Sequence, residues 1–132
     1  MSYLLDTDIC IYWLNGREEI KRKVKEVGEN DLNMAIITLG ELRYGAYYSE
    51  RGDRNLKRID DFLGKIKVIP LNEASMDKFG QIKADLRRQG KVIEDLDMLI
   101  ASVAIVKDCI LVTNNTNHFK RISGLKLENW LI

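Results

Sequence analysis

The segment Tyr3 to Leu14, YLLDTDICIYWL, holds a short apolar run that stops at an acid and passes straight into a helical pattern. Tyr3-Leu4-Leu5 has the character of a buried strand, Asp6 ends it, and Ile9 to Leu14 reads as a helix stopped by Asn15-Gly16. The same alternation recurs down the chain. Glu18 to Val27 is a charged helix with Gly28 just past its end. Met34 to Ile37 reads as a second strand and Leu39 to Tyr48 as the helix after it. From Asp53 onward Leu56, Ile59, Phe62, Leu63 and Ile66 recur at helical spacing. Lys67 to Leu71 is a strand holding Pro70, the only proline, which assigns it to a sheet edge. Asn72 caps a helix that runs to Gln89 and ends at Gly90. Asp95 to Lys107 is helical, with Leu96, Leu99, Ile100 and Val103 on one face. Ile110 to Thr113 is a strand, Phe119 to Ile122 a helical turn, and Leu125 to Leu131 holds a last short strand. Strands separated by helices imply βαβ units. The expected class is α/β: one domain over residues 1–132, with a central, mostly parallel sheet and helices on both faces.

Composition bounds the function. An apolar share of 45% with 31% charged residues excludes a disordered chain. Lys and Arg number 21 against 20 Asp and Glu, so the net charge of +1 argues against a uniformly basic nucleic-acid wrap but leaves local patches open. The longest apolar stretch, Met98 to Val106, covers nine residues and contains Ser102; a membrane span needs about 20. The N-terminus carries two acids and no basic region, so no signal peptide is expected and the cytoplasm is the expected compartment. Cys10 and Cys109 sit among apolar neighbours, as buried reduced thiols do. His118 is the only histidine, which excludes a multi-histidine zinc site.

In an open parallel sheet, ligands bind at the carboxyl ends of the strands. Asp6 and Asp8 follow the first strand, Glu41 the second, Asp97 opens the helix at Asp95, and Thr113, Asn114 and Asn115 follow a late strand. Each has an ordinary reading too. Thr38-x-x-Glu41 matches a capping box. Asp95 and Asp97 suit a helix N-terminus. Asp6 and Asn114-Asn115 suit turns. His118 suits a surface loop or a contact to a phosphate. The convergence of separate segments points elsewhere: carboxylates crowded at one edge repel one another unless a cation neutralises them. Oxygen ligands of this kind suit Mg²⁺, and equally Mn²⁺.

In order, the segments YLLDTDICIYWL, ITLGELRYGA, IEDLDMLIAS, LVTNNTNHF and GLKLENW resemble the motifs of PIN-domain ribonucleases, and more closely those of VapC toxins from toxin–antitoxin pairs. The resemblance runs nearly end to end and implies a single PIN-like domain. Two positions depart from it: Asn115 stands where many PIN nucleases have Asp, and His118 where many VapC chains have an acid. What the resemblance implies is a metal-dependent endoribonuclease that hydrolyses RNA phosphodiester bonds, with Asp6, Glu41, Asp97 and Asn115 as catalytic residues. Asp6 and Asp97 would hold Mg²⁺ or Mn²⁺, with Glu41 as a further ligand, and Thr113 and Asp8 would support them. Arg43, Arg87, Arg88, Lys91, Lys120, Arg121 and Lys126 are the candidates for RNA phosphates, or else solvated surface charges. The implied partners are a VapB-like antitoxin, a second copy of the chain, and RNA, with tRNA and in particular initiator tRNA as the expected substrate. The helices at Leu39–Tyr48 and Asp53–Ile66 are the expected partner surface, where Tyr44, Tyr47, Tyr48 and Phe62 suit an interface or a core. Two other readings stay open: an RNA-processing PIN nuclease without an antitoxin, and a non-catalytic PIN-like binding module. A phosphoacceptor receiver domain does not fit, because Pro70-Leu71-Asn72 offers no acceptor Asp and Asn114 stands where a Lys is needed.

Overall fold

The computed structural model describes residues 1–132. Five strands form one sheet: β1 (Tyr3–Leu5), β2 (Leu32–Ala35), β3 (Lys67–Ile69), β4 (Ile110–Val112) and β5 (Leu127–Glu128), in the order β3-β2-β1-β4-β5. Every pairing is parallel, with Tyr3 opposite Leu32 on one side and Ile110 on the other. The helices are α1 (Thr7–Leu14), α2 (Glu18–Val27), α3 (Ile36–Tyr48), α4 (Gly52–Phe62), α5 (Glu73–Arg88), α6 (Asp95–Val106) and the single turn α7 (Thr116–Phe119).

Side-chain alternation along the strands builds two cores. Leu4, Ala35 and Leu111 face one side and pack with Ile82 and Leu86 of α5, Ile100 and Val103 of α6, and Phe119. Leu5, Met34 and Val112 face the other and pack with Ile9 of α1, Ile20 of α2, Leu42 of α3 and Ile59 of α4. Helices therefore cover both faces, as expected for strands that are buried throughout. Trp130 closes the second core, its ring edge-on to Tyr3 at 5.5 Å. Both cysteines are free and buried, and burial pushes both thiols up, the Cys10 thiol furthest. No helix is long and apolar enough to cross a membrane.

Several local expectations hold. The strand at Lys67 is an edge strand as expected, but it ends at Ile69 rather than Leu71 and leaves Pro70 just outside it, where no ladder N–H is needed. Asn72 caps α5 through a reciprocal pair with Ser75: the Ser75 N–H donates to Asn72 Oδ1 at 2.9 Å, and the Asn72 N–H donates to Ser75 Oγ at 2.8 Å. Gly90 follows with φ 71°, a left-handed conformation that suits glycine. The second strand is displaced. It spans Leu32–Ala35, and Ile36-Ile37 already belong to α3, so Thr38 lies within the helix rather than at its cap. The polar Asn33 conceals the strand start; it is buried because its side-chain amide donates to the Tyr3 carbonyl at 3.0 Å. Phe62 is a core residue, whereas Tyr44, Tyr47 and Tyr48 project outward from α3.

Leu111 is wholly buried in the middle of the sheet. Leu111→Ala should lower unfolding free energy by about 2–5 kcal/mol, read from urea denaturation midpoints at unchanged slope.

Candidate active site

The chain winds outward from β1 through β2 to β3 and then returns to the other side of β1 as β4. The switch point of this sheet lies between the carboxyl ends of β1 and β4, and Asp6 and Thr113 leave those two strands. Asp6 is buried, with only 7% of its surface exposed. The Thr113 hydroxyl donates to its Oδ2 at 2.8 Å, and the Thr7 N–H donates to its Oδ1 at 2.8 Å. It is also the N-cap residue of α1, so the turn reading and the site reading describe one geometry. The backbone N–H of Asn115 donates to the Thr113 hydroxyl at 3.0 Å, which ties the loop after β4 to the same carboxylate.

Three more acids join this edge. Asp8, in the first turn of α1, accepts from the Asn114 N–H at 3.2 Å. Glu41, one turn into α3, accepts from the Thr7 hydroxyl at 2.6 Å. The buried Thr38 hydroxyl lies 3.2 Å from that of Thr7. Glu41 is thus held across helices, and α3 carries no side-chain cap, so the capping-box reading of Thr38 and Glu41 fails. Asp97, in the first turn of α6, lies 3.1 Å from Nε2 of His118. Asp95 turns away from it toward α5 and pairs with Lys83 at 2.9 Å.

The surface-loop reading of His118 fails as well. The residue sits in α7, its backbone N–H donates to the Asn115 carbonyl at 3.1 Å, and the buried Phe119 beside it anchors the turn. No local pattern marks Thr7, whose hydroxyl grips a carboxylate 34 positions away, and Thr38 carries only the signature of a helix cap.

The electrostatics match the crowding. Burial, then the neighbouring Asp8 carboxylate, pushes Asp6 up to about 7. Burial raises Asp8, against the opposing pull of the Asn114 N–H. Burial also raises Asp97, and it outweighs His118. The donor set is carboxylate, amide and hydroxyl oxygen, which suits a hard divalent cation. No three carboxylate, imidazole or thiol groups are gathered tightly enough to enclose an ion on their own.

The cationic candidates divide by position. Arg87 and Lys91 line a cavity with Ile93 and Met98, at the loop that leads into α6. Arg121 reaches the same loop, 3.5 Å from the Val92 carbonyl. Lys120 is exposed at the end of α7. Arg88 lies elsewhere on α5, beside Met76, Gly80 and Ala84. Arg43 pairs with Asp60 of α4 at 3.0 Å. Lys126 precedes β5 and pairs with Asp108 ahead of β4, on the amino-terminal side of the sheet.

The family model for the PIN domain matches residues 3–125. The chain belongs to the PIN-domain family. Within the family it is similar to VapC ribonucleases. It is 36% identical over 130 residues to the tRNA(fMet)-specific endonuclease VapC of Shigella flexneri, covering 98% of each chain. It is 38% identical over 133 residues to ribonuclease VapC2 of Haemophilus influenzae, covering 99% of each. The fold matches that of VapBC2 from Rickettsia felis, solved bound to a DNA fragment from their promoter, with a TM-score of 0.93 and 35% identity over 98% of this chain and 99% of that one. This PIN domain thus has the all-parallel sheet flanked by helices that its motifs implied.

The Asp6 shift has a consequence for stability. Its folded value of about 7 exceeds the ordinary 3.8, so between these values the folded state binds more protons than the unfolded chain. Stability of the metal-free protein should therefore fall as pH rises from 4 to 7, a window set by that shift. Asp6→Asn should flatten part of this fall and raise Tm at pH 8 by several degrees. Scanning calorimetry in chelator across that range checks both; a wild-type Tm that climbs through the window contradicts the sign.

Proposed function

We propose that this PIN domain is a divalent-metal-dependent endoribonuclease, the toxin of a type II toxin–antitoxin pair. The observation that carries the reading is the convergence of Asp6, Asp8, Glu41 and Asp97 at the switch point of the sheet, three of them raised by burial. Asp6 and Asp97 are the residues that would hold Mg²⁺ or Mn²⁺, with Glu41 and Asp8 at the margin. A divalent cation there supplies a lowered pKa for bound water and offsets the charge that builds on the scissile phosphate.

The protein's own groups do the rest. Glu41 orients the attacking water and accepts its proton, and the Thr7 hydroxyl fixes the carboxylate for that task. Thr113 holds Asp6 in its rotamer and, through the Asn115 N–H, positions the Asn115 amide at the rim. Arg87, Lys91, Lys120 and Arg121 bind flanking phosphates and carry a salt-dependent share of affinity. The substrate is structured RNA, with tRNA and initiator tRNA in particular favoured by the name of the Shigella flexneri relative. The site of action is the cytoplasm, where such RNA is found.

A VapB-like antitoxin is the proposed protein partner, supported by the VapBC complexes of similar fold. The surface suited to it is a groove of about 200 Å³ between α1, α3 and α4, lined by Ile11, Leu14, Leu42 and Ile59 and ending at Glu41. Arg58 braces its floor by donating to the Leu14 carbonyl. An apolar segment followed by a basic side chain would fill the groove and neutralise Glu41. A homodimer is the proposed assembly, with the exposed Tyr44, Tyr47 and Tyr48 among the side chains available to an interface.

The test is cleavage of total cellular RNA by antitoxin-free protein. Wild type with Mg²⁺ or Mn²⁺ should yield a discrete product that chelator removes. Asp97→Asn should lower the rate by ~10²-fold or more with Tm preserved. Full activity in that variant, or no product from folded wild type, overturns the nuclease reading in favour of a non-catalytic binding module.

A further inference from the structure

We propose that His118 is itself a metal ligand, so that the ion at Asp97 binds through one nitrogen and one oxygen, and the site selects Mn²⁺-like transition ions over Mg²⁺. The inference rests on the metal-dependent reading above and concerns the identity of one donor.

Three features of the site lead to it. The first is how the carboxylates are already engaged. Asp6 accepts from Thr7 and Thr113, one donor on each oxygen. Asp8 accepts from the Ile9 and Asn114 N–H groups, again one on each. Glu41 accepts from Thr7. Asp97 has a single protein neighbour at hydrogen-bond distance, and that neighbour is the imidazole of His118. Asp97, like Glu41, is therefore engaged by one side chain only, and for Asp97 that side chain is itself a nitrogen donor.

The second is distance. Neighbouring ligands on an octahedral ion with bonds of about 2.1 Å stand about 3.0 Å apart. Nε2 of His118 and Oδ2 of Asp97 are 3.1 Å apart. The two atoms have the separation of adjacent coordination positions, and a turn of the imidazole that aims its Nε2 lone pair off the line to Oδ2 would let both face one ion. The neutral imidazole then carries its hydrogen on Nδ1 and presents the Nε2 lone pair.

The third is rigidity. His118 projects from a turn whose backbone is bonded to the Asn115 carbonyl, and Asn115 is bonded to Thr113. Phe119, wholly within the core, holds the next position, with its ring edge-on to the imidazole at 5.4 Å. The same short segment thus fixes His118 and reaches Asp6 through Thr113. A nitrogen donor changes which ion is preferred: Mg²⁺ favours oxygen, whereas imidazole suits transition ions and Mn²⁺ accepts both.

Because the chain has one histidine, tag-free protein gives an unambiguous test. Mn²⁺ is the probe. Pulsed electron paramagnetic resonance of the Mn²⁺-loaded protein should show strong coupling to a directly bound nitrogen, lost in His118→Gln. His118→Asp should keep the ion but lower the Mn²⁺-over-Mg²⁺ affinity ratio by about tenfold or more in titration calorimetry. Bound Mn²⁺ that Asp97→Asn releases, yet without nitrogen coupling, overturns the ligand assignment and leaves the metal site standing. An affinity ratio unchanged in His118→Asp overturns it too. Failure of folded wild type to bind Mn²⁺ at all overturns both this assignment and the metal-dependent reading.

Discussion

The place of β1 at the centre of the sheet is the constraint on which the site depends. Hydrogen-bonded to β2 on one side and β4 on the other, β1 can deliver its last residue only into the notch where the winding reverses. Asp6 enters that notch already buried. It must be met by donors from the strand beside it, and the Thr113 hydroxyl, 107 residues on, is the one supplied. A carboxylate so placed would be a liability in a protein selected for stability alone. Here the other elements are arranged around it. Thr7, its chain neighbour, grips Glu41 of α3, and Asp8 grips the loop after β4.

The fold supplies hydroxyls and backbone N–H groups to these acids, but it keeps lysine and arginine away from them. Lys83 pairs with Asp95, not Asp97, and Arg43 pairs with Asp60, not Glu41. Neutral donors hold a carboxylate in one geometry without cancelling its charge. Burial raises Asp6, Asp8 and Asp97, and the hydrogen bonds they accept only partly oppose it. A structural ion-pair network would have had its cations inside. An edge that orients buried acids without pairing them to lysine or arginine is what the proposed divalent-cation site requires.

Much of this was legible in the sequence, because strand ends and helix starts have local signatures. Asn72 before α5, Pro70 after β3 and the apolar run of β4 each announce their element without help from distant residues. Asp6, Glu41 and Asp97 could be placed at one edge because parallel topology alone brings strand ends together. What stayed hidden depends on contacts across the chain. The start of β2 was obscured by Asn33, whose burial makes sense only once Tyr3 is known to lie beside it. Thr38 mimicked a helix cap because the true start of α3, Ile36, is β-branched and looks like strand. His118 looked like a loop residue because nothing within its own turn shows that Asp97, 21 residues earlier, faces it.

The surroundings of the acidic edge are asymmetric, and this bears on how such a site could be controlled. The apolar groove between α1, α3 and α4 reaches the edge at Glu41, on the side of one core. Arg87, Lys91 and Arg121 gather around the loop before α6, which packs on the other. Phosphates are attracted from the cationic side, whereas an apolar protein segment is attracted from the groove side. The two kinds of ligand therefore need not compete for the same contact residues. They meet only where the groove opens onto Glu41 and Thr7. A cation of a partner that ends in the groove would neutralise Glu41 and stand between it and the Asp6–Asp97 side of the edge. On the proposed roles, inhibition would then need no rearrangement of the sheet and no contact with Arg87, Lys91 or Arg121, since one side chain at the mouth of the groove would separate Glu41 from Asp6 and Asp97.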